Sequence, residues 1–248
     1  MTTDLSGRVA VVTGGSRGLG REMVRALAGA GADVVIASRK LDACQALARE
    51  VEAQTGRRAL PVACHVGSWA DCDALADAAY AEFGRVDVLI NNAGIAPQYD
   101  RVEDVSENLW DKVLDVNLKG AFRLSARVGA RMAADGGGSI INVSSLASLR
   151  PRPAVIPYAA AKAGVNAMTE AFAHAFGPSV RVNAILPGTF FTDISRHWDM
   201  EAFAEDAATM ALRRGGEPHE ITGIVLYLAG DASSYTTGAL IRVDGGFP

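Results

Sequence analysis

The residues of this chain that could do chemistry are few and regularly spaced. Tyr158 and Lys162 stand four positions apart, which places a phenol and an ammonium on one face of a helix. A free tyrosine titrates near ~10 and is a poor base at neutral pH. An adjacent ammonium favours the phenolate and brings that pKa towards the working range of a general acid or base. A Tyr-x-x-x-Lys pair also arises by accident on surface helices. Here, however, Lys162 is one of only four lysines (with Lys40, Lys112 and Lys119) among 24 basic residues, and Ser145 closes an apolar run thirteen positions before Tyr158.

A second group lies near the start, where Thr13-Gly14-Gly15-Ser16-Arg17-Gly18-Leu19-Gly20 follows a β-branched run and opens a helical stretch to about Gly29. Glycines let the backbone turn tightly and approach a ligand, and a helix N-terminus offers unpaired amides to a pyrophosphate. The spacing is GxxxGxG rather than GxGxxG, and a purely structural strand-to-helix turn would use the same residues. The end of the next apolar run bears on that choice. An acid about 20 residues beyond such a loop commonly holds the ribose 2′-hydroxyl of NAD. This chain instead reads Ala37-Ser38-Arg39-Lys40, with no acid before Asp42. Arg39 can grip a 2′-phosphate bidentately, Lys40 adds charge, and Arg17 can approach the same group. If the loop takes a dinucleotide, this favours NADP(H) over NAD(H); the plain alternative is a solvated basic pair after a strand.

The elements that must position these groups follow from hydrophobic period. Short apolar runs at 9–13, 33–37, 59–64, 86–91, 139–143, 180–186 and 240–243 alternate with stretches of helical spacing, such as Leu109, Val113, Val116, Leu124, Val128 and Val165, Met168, Phe172, Phe176. Strands without polar alternation, separated by helices, read as a parallel sheet covered on both faces. Ligands of such sheets bind outside the carboxyl ends of the strands. There this sequence places Cys64-His65-Val66-Gly67, Asn91-Asn92-Ala93-Gly94, Ser144-Ser145 and Leu186-Pro187-Gly188 followed by Thr192. Asn117 interrupts an apolar helical stripe and needs a hydrogen-bond network or a bound water. The segment 193–214 carries Trp198, Met200, Phe203 and Met210; it reads either as a lid over an apolar pocket, from about 189 to 214, or as a packed surface helix. Arg150 and Arg152 either hold an anionic substrate group or face solvent.

Composition sets the outer bounds. The 248 residues are 49% hydrophobic and 21% charged, too apolar for a disordered chain, and without a linker or repeat they read as one domain, 1–248. A net charge of −4 argues against a nucleic-acid partner, and no run approaches a membrane span. Cys44, Cys64 and Cys72 form no CxxC pair, and the four histidines have no partner at ligand spacing, so neither a disulfide framework nor a metal site is expected. The expected setting is cytoplasmic.

Taken in order, the motifs resemble those of the short-chain dehydrogenase/reductase family. They are TGxxxGxG at Thr13 to Gly20, Asn-Asn-Ala-Gly at Asn91 to Gly94, Asn117, Ser145, Tyr158-x-x-x-Lys162 and Pro187-Gly188 with Thr192. The resemblance implies a doubly wound α/β Rossmann fold with a seven-stranded parallel sheet, about three helices on each face, and commonly a tetramer (or dimer) in which the helices bearing Asn117 and Tyr158 meet their symmetry mates. It implies Tyr158 as general acid/base toward a carbonyl or alcohol, Lys162 lowering the phenol pKa and binding the nicotinamide ribose, Ser145 polarising the substrate oxygen, and Asn117 holding a relay water. It lines the cofactor with Gly14, Ser16, Arg17, Gly18, Leu19, Gly20, Ser38, Arg39, Lys40, His65, Val66, Asn92, Ala93, Gly94, Pro187, Gly188 and Thr192. His65 departs from the pattern, standing where an aspartate usually accepts a bond from adenine. Two other classes share the fold: a cofactor-retaining epimerase or dehydratase, and a non-catalytic NADP(H)-binding sensor, in which erosion at Ser145, Tyr158 or Lys162 is expected, whereas all three are intact.

Overall fold

The computed structural model describes residues 3–192 and 200–248. Its strands are β1 (Val9–Thr13), β2 (Asp33–Ser38), β3 (Ala59–Ala63), β4 (Val88–Asn91), β5 (Gly138–Val143), β6 (Val180–Pro187) and β7 (Leu240–Val243). All pair in parallel in one sheet of order β3-β2-β1-β4-β5-β6-β7. The order reverses between β1 and β4, so the chain leaves those two strands in opposite directions and opens a crevice at their carboxyl ends.

Between the strands run α1 (Gly18–Gly29), α2 (Leu41–Thr55), α3 (Trp69–Phe83), α4 (Glu107–Leu114), α5 (Gly120–Ala134), α6 (Ile156–Phe176), α7 (Met200–Thr209) and α8 (Thr222–Ala229). The absence of polar alternation in the strands has a direct cause. Ala10 and Val12 of β1 pack with Met23, Leu27, Leu47 and Val225 from α1, α2 and α8. Val9 and Val11 point to the other face, against Leu75, Ala79, Leu124 and Val128 of α3 and α5. Both faces are buried, so both parities must be apolar. Among the described residues no helix is long and apolar enough to cross a membrane.

Two differences from the apolar pattern are informative. The run at 86–91 yields a strand only from Val88, because the Asp87 carboxylate, held by Arg85, accepts the Val9 amide at 2.8 Å. The stripe from Leu109 to Val128 is also not one α-helix. A π-helical turn, Asp115–Lys119, separates α4 from α5 and carries Asn117 inward, 1% exposed. Such wide turns are frequent at functional sites.

A buried polar ladder ties the sheet to α6. Asn91 and Asn142 face each other across β4 and β5, and the Asn91 amide donates to Asn142 Oδ1 at 2.8 Å and to Ser125 Oγ at 2.9 Å. Asn142 Nδ2 donates to Thr169 Oγ1 at 2.9 Å, and Thr169 donates to the Val165 carbonyl at 2.8 Å. Buried polar groups that lose their partner carry the full desolvation cost. Asn142→Ala leaves the Asn91 amide short of a partner and the Thr169 hydroxyl without its donor, so it is expected to lower stability by roughly 2–4 kcal/mol in urea unfolding.

Candidate active site

The predicted residues converge on the carboxyl rim. Gly14 takes φ +64° and Gly18 φ +53° as β1 turns into α1. Gly20 must lack a side chain, since a Cβ there would lie 2.2 Å from the Gly14 carbonyl oxygen and 2.6 Å from Asn92 Nδ2. The Asn92 amide donates to the Thr13 and Gly14 carbonyls at 2.9 and 3.2 Å. Buried Thr13 accepts the Asn92 and Ala93 amides at 3.0 and 3.1 Å. Asn92 and Thr13 thus bind the two loops of the switch point to each other. Thr13 had no role among the expected site residues, because a hydroxyl at a strand end carries no periodic signal.

The chemical group assembles from three segments. Tyr158 lies in the first turn of α6, partly exposed, with its phenol close enough to Ser145, in the loop after β5, for that hydroxyl to favour the phenolate. Burial raises the Tyr158 pKa, and the Ser145 contact opposes it. Lys162, one turn on, is only 3% exposed; its Nζ stands 5.7 Å from the Tyr158 ring centre and donates to the Val143 carbonyl at 2.7 Å. Burial pulls the ammonium down from 10.5 to about 8. In this chain the ammonium is therefore turned to β5, and the neighbour that lowers the phenol pKa is Ser145. An ammonium has three donors, and one is used here, among the described residues.

Asn117 joins the group through the loop after β4. Its Nδ2 donates to the carbonyls of Ile95 and Val113 at 2.8 and 2.9 Å, and its Oδ1 accepts the Ile95 amide at 3.2 Å. The side chain is thus spent on holding that loop. Gly94 lies between, its absent Cβ 2.8 Å from Asn117 Oδ1 and 3.7 Å from Lys162 Nζ.

The glycine loop has the electrostatics of an anion site. Helix α1 begins with no side-chain cap and no acid in its first turn. Arg17, Arg39 and Lys40 are exposed and have no ion-pair partner among the described residues, whereas the nearby Arg21 and Arg25 bind Glu50 and Arg57 binds Asp33. Ser16 donates to Ser38 at 3.0 Å and so links the loop to the end of β2. Thr192 approaches Gly18, within 3.7 Å of where its Cβ would stand. These residues fit the anionic phosphates of a dinucleotide.

Other expected residues are placed as follows. Leu19 packs against the core on the α1 side. Val66 is buried, its carbonyl accepting the Cys72 thiol at 3.3 Å, and Gly120 keeps its place because a Cβ would come within 2.2 Å of that carbonyl. His65 is exposed and covers Gly67. Pro187 ends β6, and Gly188 lies against Asp244. The proposed lid falls partly outside the described residues, since 193–199, with Trp198, are not among them. In the rest, Phe203 of α7 meets Phe191 edge-on at 5.3 Å, and Met210 is buried. The two loop arginines have partners: Arg152 binds Asp206 at 2.9 Å and lies over the Phe247 ring, and Arg150 donates to the Leu149 and Pro248 carbonyls.

The buried ammonium carries a stability signature. A lysine whose folded pKa lies below its unfolded value opposes folding while protonated, and the penalty disappears as pH rises from about 8 to 10.5. In the protein without ligand, Lys162→Met is therefore expected to raise stability by roughly 1–3 kcal/mol at pH 7. The gain should shrink as pH passes through that window in thermal melts.

With this geometry in place, likeness to known proteins is specific. Residues 14–248 match the family model described as "Enoyl-(Acyl carrier protein) reductase". The chain is 39% identical to the short chain dehydrogenase/reductase astE of Aspergillus oryzae, covering 98% of this chain and 95% of that protein. Among solved structures, a short-chain type dehydrogenase/reductase from Mycobacterium marinum superposes with a TM-score of 0.91 at 35% identity, covering 98% of this chain and 96% of that one. L-Sorbose reductase from Gluconobacter frateurii, complexed with NADPH and L-sorbose, does so with a TM-score of 0.92 at 27% identity, covering 100% and 98%. The chain therefore belongs to the short-chain dehydrogenase/reductase family, oxidoreductases that act on CH–OH and C=O groups.

Proposed function

We propose that this protein is an NADP(H)-dependent oxidoreductase that interconverts a carbonyl and a secondary alcohol, with Tyr158 as the general acid/base. The observation that carries the reading is the meeting of Tyr158, Ser145 and Lys162 on the rim that also holds the glycine loop and cations with no ion-pair partner among the described residues. Gly14, Ser16, Gly18, Gly20, Ala93, Gly94, Val66, Pro187, Gly188 and Thr192 line the cofactor's path, and Arg17, Arg39 and Lys40, with Ser38, take its 2′-phosphate. Bound there, the cofactor supplies or takes up a hydride at the substrate carbon. Tyr158 gives its phenolic proton to the carbonyl oxygen in reduction and takes it back in oxidation. Ser145 donates to the same oxygen and holds it towards the phenol. Lys162 binds the cofactor's ribose hydroxyls with the donors that Val143 does not use. Its charge beside the ring then favours the phenolate. Asn117 keeps the Gly94 loop in place and, through the surrounding π-turn, holds the relay water.

Support for the phosphate preference comes from the charges at the end of β2, and the structural relative that binds L-sorbose is bound to NADPH. Exposed Trp69 of α3 and Phe122 of α5 continue into partly buried Phe172 of α6, with ring centres 6.2 and 5.7 Å apart. This suits a homodimer or homotetramer built through these helices. The three free, buried cysteines suit a reducing, cytoplasmic setting.

A panel of activated ketones, ketoses, 3-oxoacyl thioesters and ketosteroids with NADPH or NADH tests the reaction class through nicotinamide absorbance. Tyr158→Phe is expected to abolish turnover while NADPH still binds; a fully active variant would remove the acid/base assignment. Product formed without net change in absorbance would indicate a cofactor-retaining epimerase or dehydratase instead. For the cofactor, Arg39→Asp is expected to weaken NADPH binding by about 10- to 100-fold, the worth of a charge-assisted contact, with a far smaller effect on NADH. Equal wild-type affinities for the two would refute the phosphate role.

A further inference from the structure

The first turn of α6 carries Tyr158, and its N-terminus is poorly held by its own residues. Val155 at the cap position makes no side-chain cap, and Pro157 in the first turn has no amide to anchor. The first amides of a helix lack intrahelical partners and need outside acceptors. For Ile156 that acceptor is Tyr99. Its hydroxyl accepts the Ile156 amide at 2.8 Å and donates to the Pro153 carbonyl at 2.6 Å, so both hydrogen-bonding functions of the phenol are engaged by the approach to α6. No other side chain is shown bonding to the 153–156 backbone, among the described residues.

Tyr99 is itself anchored. It belongs to the loop that leaves β4 through Gly94 and Ile95, and Ile95 is clamped through both its amide and its carbonyl by buried Asn117. The π-turn thus holds the loop at Ile95, four residues before Tyr99, and Tyr99 in turn bonds to the residue two before Tyr158. At the other end of the same turn, the Lys162 Nζ–Val143 contact fixes α6 to β5. Tyr158 sits between two tethers. One ties the helix directly to the sheet; the other hangs on a single phenol.

We propose that Tyr99 is a positioning residue for the reaction: its hydroxyl sets the first turn of α6 and thereby holds the Tyr158 phenol against Ser145. The assignment rests on the reading of Tyr158 as the acid/base. Tyr99 acts through the backbone of 153–156 and takes no part in proton transfer. It also joins the loop after β4 to the segment that leads into α6. Contact with substrate alone would have a different signature, raising KM and leaving kcat unchanged.

Tyr99→Phe removes the hydroxyl and keeps the ring. With the panel substrate of highest kcat/KM and saturating NADPH, kcat is expected to fall about 5- to 20-fold, the effect of losing one or two hydrogen bonds that align a reacting group. NADPH dissociation should stay within about twofold of wild type, because no cofactor contact is removed. Independently of activity, hydrogen exchange at the Ile156 amide of the protein without ligand should accelerate, since its acceptor is gone. Unchanged exchange at Ile156 overturns the clamp. Accelerated exchange with wild-type kcat shows a helix cap without influence on the reaction and overturns the positioning role, as does a rise in KM alone. Tyr158→Phe measured alongside separates the two readings. If that variant stays active, the acid/base assignment itself fails and the positioning role falls with it. If it is inactive while Tyr99→Phe turns over at the wild-type rate, only the positioning role fails.

Discussion

A parallel sheet whose five inner strands are buried on both faces leaves the chain one place for polar chemistry. Side chains of either parity within the strands meet helices, so a catalytic group there would be sealed in hydrocarbon. Only at the carboxyl rim, where each strand hands over to a loop, can side chains be polar and reachable. The reversal of strand order between β1 and β4 parts the following helices at one point of that rim. The glycine loop, the Asn92 loop and Ser145 are all consequences of that single constraint.

The rim is held by polar groups buried with partners. Thr13 and Asn92 stitch the loops after β1 and β4; Asn91, Asn142 and Thr169 stitch two strands to α6. Lys162 is the exception. It is a charge at 3% exposure with one carbonyl for company, and burial lowers its pKa to about 8. A site optimised for the stability of the chain alone would not place an ammonium there. Its position suits a role met only when a ligand brings hydroxyl groups to its remaining donors. The arginines show the same division. Those of α1 and of the approach to β3 are neutralised by Glu50 and Asp33, while Arg17, Arg39 and Lys40 have no such partner among the described residues.

Much of the site was legible in one dimension because its signals are local. Tyr158 and Lys162 share a helix face by spacing alone, the glycines of the first loop mark a turn, and the Arg39-Lys40 pair reads directly as charge. The strands were legible within a residue or two because full burial demands unbroken apolar runs. Where the pattern misled, a long-range contact intervened: Asp87 trims β4 by capturing the Val9 amide, and the stripe through Asn117 opens into a π-turn.

The sequence by itself determined which side chains are candidates for chemistry and, Asn117 apart, on which kind of element each one sits, since helix and strand periods are properties of neighbouring residues. Tertiary structure alone decided how they are held. Asn117 grips a residue 22 positions away, Asn142 reaches Thr169 across 27, and Tyr99 caps Ile156 across 57. Such bonds need only one donor and one acceptor at the right distance, and that distance exists only after the sheet has brought the loops together.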